Sequence, residues 1–116
     1  MLTIYHNPRC SKSRSAVQYL EENNHHFEVV EYLKTPPTKP ELVNILAKLK
    51  LDIRDIIRTK EPEYKEHNLN NDNLSDDEIV DILISTPKLI ERPIIISNNN
   101  ACIARPIDNL INMLND

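Results

Sequence analysis

The sequence predicts an α/β fold with a β-α-β unit, a helical insertion and a closing β-β-α unit. Three observations lead to this order: short apolar runs near both ends of the chain, apolar residues at helical spacing between them, and Pro- or Asn-rich breaks that separate the elements. The chain has 116 residues, the length of one domain, so we expect a single domain over residues 1–116.

The β-α-β unit is predicted at the N-terminus. Residues 2–5 form a short apolar run that ends before Asn7-Pro8, which is typical of a buried strand that stops abruptly. A helix over residues 11–22 should follow, because its apolar side chains recur on one face. Residues 27–33 mix aromatic and β-branched side chains ahead of a Thr-Pro-Pro break, which favours a second strand.

The helical insertion is predicted from two capping boxes. Thr38 and Ser75 are each followed three residues later by Glu and then by apolar residues at helical intervals. The helix that begins after Ser75 should stop near Pro87. Residues 52–58 suggest a further short helix, whereas the polar residues 59–73 are predicted to form an exposed connection.

The closing unit is predicted from a hairpin and one apolar stripe. The apolar runs 93–96 and 101–104 are joined by three asparagines, which is typical of a β-hairpin, and helical spacing of apolar residues follows. The sequence contains no glycine, so backbone positions with positive φ should be filled mostly by asparagine. The candidates are residues 23–24 and 98–100.

The composition limits the classes of protein to which the chain can belong. Its formal net charge of −4 argues against non-specific binding to nucleic acid, whose phosphates attract basic surfaces. No segment approaches the roughly 18 apolar residues of a membrane span, and the N-terminal residues lack a signal-peptide pattern. Both cysteines are expected to be thiols of a reducing cytosol. We therefore expect a cytoplasmic protein with no nucleic-acid and no membrane partner.

Cys10 is the candidate nucleophile. It lies between the first predicted strand and the first predicted helix, where unpaired backbone N–H groups and the helix dipole favour a thiolate or a bound oxyanion. Arg9, Lys12 and Arg14 add positive charge nearby. The alternative is a small packed residue, and that alternative is favoured for Cys102 in the predicted hairpin. Neither the cysteines nor the histidines have metal-ligand spacing, so no metal is expected.

Residues 6–14, His-Asn-Pro-Arg-Cys-Ser-Lys-Ser-Arg, resemble the nucleophile loop of the glutaredoxin-linked arsenate reductases, His-Asn-Pro-x-Cys-x-x-Ser-Arg. The likeness continues in order along nearly the whole chain, through residues 32–37, 57–58, 91–94 and 104–106. It implies a thioredoxin-like fold, in which the residue before the strand that faces the active cysteine is a cis proline. That residue would be Pro93.

The resemblance also assigns roles to individual residues. In this family the cysteine attacks arsenate and three arginines hold its oxygens, and the matching residues are Cys10, Arg58, Arg92 and Arg105. Guanidinium groups suit this task because they offer paired donors to oxyanions. Arg92 and Arg105 each precede a proline at a strand boundary and Arg58 is expected to end a helix, so all three are expected to converge on Cys10. His6 would lower the thiol pKa, with a structural hydrogen bond as the alternative.

The implied reaction needs no bound cofactor. The Cys10 thiolate attacks As(V), glutathione as co-substrate attacks the adduct, As(III) leaves, and glutaredoxin reduces the mixed disulfide. A redox-sensing transcription regulator of the Spx type is the alternative, but such regulators typically carry Cys-x-x-Cys, whereas Ser13 stands at the fourth position here. A related thiol oxidoreductase with another substrate is a further alternative, because Ser11 and Lys12 replace the Gly-Thr of well-studied members.

Overall fold

The computed structural model describes residues 1–115, which form two compact units. The first unit contains Met1–Thr35 and the segment from Arg92 onward, and the second unit is Pro36–Glu91. The single domain expected over residues 1–116 stays a prediction. In chain order the strands and helices are β1 (Leu2–Tyr5), α1 (Ser11–Glu22), β2 (Phe27–Val30), α2 (Lys39–Leu49), α3 (Pro62–Glu66), α4 (Asp76–Ser85), β3 (Ile94–Ile96), β4 (Ala101–Ile103) and α5 (Asp108–Leu114).

The first unit is built on a four-stranded sheet with the strand order β2-β1-β3-β4. β1 is parallel to β2 and antiparallel to β3, and β3 is antiparallel to β4. In this register Tyr5 lies opposite Ile94, which lies opposite Ile103. The end of β1, the beginning of β3 and the end of β4 therefore meet at one end of the sheet. The predicted β-α-β and β-β-α order is confirmed.

The core of the first unit lies between the central strands and the two helices that flank them in sequence. Its members come from β1, α1, β3, the residue after β4, and α5, and each is at most 1% exposed: Ile4, Ala16, Leu20, Ile95, Ala104 and Leu110. Removing this apolar surface from water is the main favourable contribution to folding of the unit. The first helix is thereby fixed against the sheet from which the loop 6–10 emerges.

Both predicted capping boxes are present in the second unit. The Thr38 hydroxyl accepts a hydrogen bond from the Glu41 backbone N–H at 3.3 Å, and the Ser75 hydroxyl accepts one from the Glu78 N–H at 3.2 Å. These bonds satisfy N–H groups that lack partners inside a helix, so α2 and α4 begin where the sequence indicates. α4 ends at Ser85, close to Pro87 as predicted.

Two expectations for the second unit were wrong. Residues 52–58 do not form one helix: a single 3-10 turn spans Ile53–Ile56, and Ile57 then pairs with Ile90 in an isolated antiparallel bridge. Residues 59–73 are not wholly an exposed connection, because they contain α3 and the fully buried Leu69. A second 3-10 turn, Pro87–Leu89, also follows α4.

Two expectations about backbone conformation need correction as well. β2 ends at Val30 rather than at residue 33, because the chain turns at Glu31. The Glu31 carbonyl accepts hydrogen bonds from the N–H groups of Lys34 and Thr35. Asn24 has a positive φ as predicted, but Asn23 and residues 98–100 do not. Lys50 and Asn68 are the other residues with positive φ within residues 1–115. Every helix of residues 1–115 lacks the length and hydropathy that a membrane span requires.

Candidate active site

Four of the predicted site residues lie at one end of the sheet in the first unit. His6 directly follows β1, and Cys10 is the residue before α1. Arg92 lies just before β3 and Arg105 lies just after β4, and the strand register brings these segments to the same end as His6. The peptide bonds Arg92–Pro93 and Arg105–Pro106 are both cis, of which the first is the one that the resemblance implies.

Cys10 is held by its backbone at the start of α1. Its N–H donates to the Asn7 carbonyl and its own carbonyl accepts from the Arg14 N–H, both at 3.0 Å. The Arg14 side chain ties the loop further, because Nη1 donates to the Pro8 carbonyl at 3.0 Å. The residue is only 8% exposed. The sulfur therefore lies at a fixed place beside the first N–H groups of the helix, where positive potential is strongest.

This setting lowers the pKa of the Cys10 thiol. Burial alone raises that pKa, but hydrogen bonds from the Ser13 backbone, the Arg92 side chain and the Lys12 backbone, together with the charge of Arg92, outweigh it. Each of these groups favours the charged form of sulfur. The backbone donors belong to the start of α1, and Arg92 is the arginine that adds to their effect.

His6 contacts the buried Ser13. Its Nδ1 lies 2.6 Å from the Ser13 Oγ, which also accepts a hydrogen bond from the Asn7 N–H at 3.0 Å. Burial lowers the pKa of the His6 imidazole, with Glu31 acting in the opposite direction and Arg14 in the same one. The net shift favours the neutral form of the imidazole. The structural hydrogen bond, given above as the alternative, is what the structure contains.

Ser13 is the site residue whose role the sequence did not suggest. It is fully buried, although serine is usually exposed, and its hydroxyl joins His6 to the loop backbone while its N–H supports Cys10. The sequence analysis considered Ser13 only as the residue that replaces a second cysteine. Its position three residues after Cys10, on the inner face of α1, was the available signal.

The other predicted arginines have different surroundings. Arg105 is exposed, and its backbone N–H donates to the Ile103 carbonyl at 2.8 Å. Arg58 belongs to the second unit, where it follows the bridge residue Ile57. The expectation that Arg58 ends a helix is therefore wrong, because the 3-10 turn before it stops at Ile56. Its guanidinium forms ion pairs with acidic side chains of its own unit.

Cys102 differs from Cys10 in its place in the fold and in the direction of its pKa shift. It lies in β4 and packs against the core of the first unit, as predicted. Burial raises the pKa of the Cys102 thiol to about 11. Both cysteines are free thiols. Residues 1–115 contain no cluster of three or more His, Cys, Asp or Glu side chains that could hold a metal ion.

We expect iodoacetamide to modify Cys10 faster than Cys102 at pH 7. Thiolate is the reactive form of cysteine, and a free thiol has its midpoint at about pH 8.5. The thiolate fraction at Cys10 should rise with pH through a lower midpoint. Rates measured by mass spectrometry between pH 5 and pH 10 check this. Sulfate or arsenate at saturation should slow the reaction at Cys10 alone. A Cys10 midpoint at or above the free-thiol value, without protection by either anion, would contradict the thiolate site.

The fold and this site together define a thioredoxin-like protein with a thiolate-stabilising cysteine at the start of the first helix. The ArsC family model matches residues 5–113, and the chain belongs to the ArsC family. It is 46% identical to an arsenate reductase of Neisseria meningitidis serogroup A over 110 residues, 94% of each chain. It is 33% identical to the arsenate reductase of Escherichia coli K12 over 115 residues, 99% of this chain and 82% of that one.

A solved structure supports the same relationship. The structure of an arsenate reductase from Vibrio cholerae superimposes with a TM-score of 0.92 at 41% identity, and the match covers 96% of this chain and 95% of that chain. The likeness therefore extends over the whole fold and is not confined to the cysteine loop.

Proposed function

We propose that this protein is an arsenate reductase that reduces arsenate to arsenite through a Cys10 thiol-arsenate intermediate, with glutathione and glutaredoxin as electron donors. The observation that carries the proposal is the setting of Cys10, whose thiol pKa is lowered by the start of α1 and by Arg92. Such a site stabilises two negative groups, the thiolate and a bound oxyanion. The arsenate reductases that resemble this chain over most of its length support arsenate as that oxyanion.

The proposed reaction consists of three displacements. The Cys10 sulfur attacks arsenic, an S–As bond forms, and an arsenate oxygen leaves as water after protonation. A glutathione thiolate then attacks the Cys10 sulfur, the S–As bond breaks, and its electron pair reduces As(V) to As(III). A glutaredoxin thiolate finally attacks the glutathione sulfur of the mixed disulfide and releases Cys10 as thiolate. The three steps together return Cys10 to its thiolate form without a bound cofactor.

The roles proposed for the arginines follow from charge and position. Arg92 is next to both the sulfur and any anion that the sulfur attacks, because its side chain hydrogen-bonds Cys10. We assign Arg105 and Arg58 to the remaining arsenate oxygens on the basis of the family resemblance. Guanidinium groups hold tetrahedral oxyanions through charge-assisted bonds that shorten as charge develops in the reaction.

We assign His6 a supporting role that acts through Ser13. The 2.6 Å contact between His6 Nδ1 and Ser13 Oγ fixes the first turn of α1, whose N–H groups act on the Cys10 sulfur. A neutral imidazole can accept the serine proton or donate its own, so it maintains the contact without adding charge. His6 is thus proposed as a positioning residue for the nucleophile.

Arsenate reduction with alternative electron donors tests the proposal. We expect turnover with glutathione plus glutaredoxin, measured as arsenite formed or NADPH consumed by glutathione reductase, and much less turnover with thioredoxin and its reductase. Turnover with thioredoxin alone would contradict the proposed donor. No arsenite with either donor, although Cys10 is alkylated and protected as predicted, would indicate another oxyanion substrate.

We further propose a cytoplasmic location, since two free thiols and glutathione chemistry suit a reducing compartment.

A further inference from the structure

A groove in the first unit lies along α1. It has a volume of about 320 Å³, which is within the range of small-molecule sites. The residues that line it are His6, Arg14, Val17, Gln18, Glu21 and Glu22. Residues 14, 17, 18 and 21 follow Cys10 at intervals of three and four, which is the spacing of one helix face. The groove therefore runs along α1 in line with the thiol.

The lining of the groove carries a cation and an unpaired anion. Arg14 Nη1 donates to the Pro8 carbonyl at 3.0 Å, and among residues 1–115 its Nε and Nη2 make no hydrogen bond. The Glu22 carboxylate accepts a hydrogen bond from Gln18 Nε2 at 2.8 Å. Glu21 is exposed and has no hydrogen bond or ion pair within the same part of the chain. The groove thus offers guanidinium donors at its end nearer the thiol and a carboxylate farther along the helix.

Glutathione, the co-substrate of the proposed reaction, matches this order of charges. Its γ-glutamyl end carries an α-carboxylate, which suits a guanidinium, and an α-ammonium, which suits a carboxylate. In the extended molecule the α-ammonium lies about 10 Å from the sulfur. At a rise of about 1.5 Å per residue, Gln18 is about 12 Å beyond Cys10, and a helical side chain at position 21 leans back over that turn. A glutathione whose sulfur reaches Cys10 can therefore place its γ-glutamyl end between Arg14 and Glu21.

We propose that this groove is the glutathione subsite, in which Arg14 binds the α-carboxylate of the γ-glutamyl residue and Glu21 binds its α-ammonium. The inference rests on the proposed function, in which a glutathione thiolate attacks the Cys10 sulfur. Binding of the γ-glutamyl end brings that thiolate to the sulfur in one orientation. A simple charge effect has the opposite sign, because the Glu21 carboxylate repels an anionic thiol. The direction of change when Glu21 is replaced decides between the two.

Thiol exchange at Cys10 tests the subsite without arsenate. In a Cys102→Ser background, Cys10 is first converted to a mixed disulfide with thionitrobenzoate. An incoming thiolate attacks the Cys10 sulfur, the S–S bond breaks, and the coloured thionitrobenzoate that leaves is measured by absorbance. We compare glutathione, γ-glutamylcysteine, which keeps the γ-glutamyl end, and cysteinylglycine, which lacks it. The rate ratio of γ-glutamylcysteine to cysteinylglycine reports recognition of that end, because a change in the reactivity of the Cys10 disulfide affects both thiols.

We expect Glu21→Gln to lower the rate constants of glutathione and γ-glutamylcysteine about two- to fivefold, the range of one solvent-exposed ion pair. Glu21→Lys should lower both further, because it brings like charges together. Cysteinylglycine should not react more slowly in either variant, so the rate ratio falls. Arg14→Ala should lower the ratio as well. Glu28→Gln is the matched control: it removes the same charge from an exposed glutamate of β2 that does not line the groove, and the ratio should stay unchanged.

A rate ratio that is unchanged or raised in Glu21→Gln, or unchanged in Arg14→Ala, would overturn the inference. Such a result leaves the proposed function intact if the unaltered protein still forms arsenite with glutathione and glutaredoxin. If the unaltered protein forms no arsenite, the proposed function fails, whereas a lowered ratio in Glu21→Gln still supports the subsite because the exchange assay contains no arsenate. Thermal unfolding of each variant confirms that it is folded.

Discussion

Replacing Cys10 with serine should abolish arsenate reduction. The serine hydroxyl has the size of the thiol but a far higher pKa, so the groups that stabilise a sulfur anion at the start of α1 cannot generate an oxygen anion at pH 7. An oxygen at this position also cannot form the mixed disulfide that transfers electrons. We expect arsenite formation with glutathione and glutaredoxin to fall at least about 1,000-fold, as is typical when a covalent nucleophile is removed.

Cys102→Ser is the control for this variant. The Cys102 thiol has a pKa of about 11 and packs against the core, so we expect its replacement to leave most of the activity. Circular dichroism and thermal unfolding of both variants show whether the fold is retained. An equal loss of activity in two folded variants would indicate a mechanism in which both cysteines exchange disulfides.

The elements that the sequence predicted correctly are those with local signals. A capping box joins residues three apart, so the beginnings of α2 and α4 could be located from Thr38 and Ser75 without knowledge of the tertiary structure. β1 and α1 have the bounds predicted from the apolar run before Asn7-Pro8 and from the periodicity after Cys10. Elements with strong local patterns do not depend on distant partners for their limits.

The elements predicted wrongly depend on distant residues. Ile57 is extended because it pairs with Ile90, 33 positions later, and this pairing ends the helix that residues 52–58 suggested. Leu69 is surrounded in sequence by polar residues, yet it is fully buried. Its own backbone carbonyl accepts a hydrogen bond from Arg54 Nη1 at 2.9 Å. A lone apolar residue in a polar segment has no periodicity, so its burial could not be predicted.

The same distinction applies to the candidate site. The position of Cys10 before the first helix indicated the nucleophile, and the resemblance supplied the three arginines, because a motif identifies residues without their surroundings. The sequence did not reveal that the pKa of His6 is lowered, since burial and the charges of Glu31 and Arg14 are properties of the folded unit. It also did not reveal the carboxylate partners of Arg58, which come from positions 61 and 91.

Removing one arginine from the proposed arsenate site should lower kcat/KM about ten- to a hundredfold. A hydrogen bond to a charged group contributes about 1.5–3 kcal/mol, and each 1.4 kcal/mol corresponds to a factor of ten. We expect losses in this range for Arg58→Ala, Arg92→Ala and Arg105→Ala in the glutathione and glutaredoxin assay. Lysine at each position should restore only part of the loss, because it keeps the charge but not the paired donors.

The pH profile should distinguish Arg92 from the other two arginines. The Arg92 side chain lowers the pKa of the Cys10 thiol through a hydrogen bond and through its charge, so Arg92→Ala raises that pKa. The midpoint of Cys10 alkylation should therefore move to higher pH in Arg92→Ala and stay in place in Arg105→Ala. Arg9→Ala is the matched control, since Arg9 is exposed and occupies the variable position of the nucleophile loop. An unmoved midpoint in Arg92→Ala would exclude direct action of Arg92 on the Cys10 sulfur. For the kinetic prediction, normal kcat/KM in alanine variants of two of the three arginines would require the anion-site assignment to be dropped.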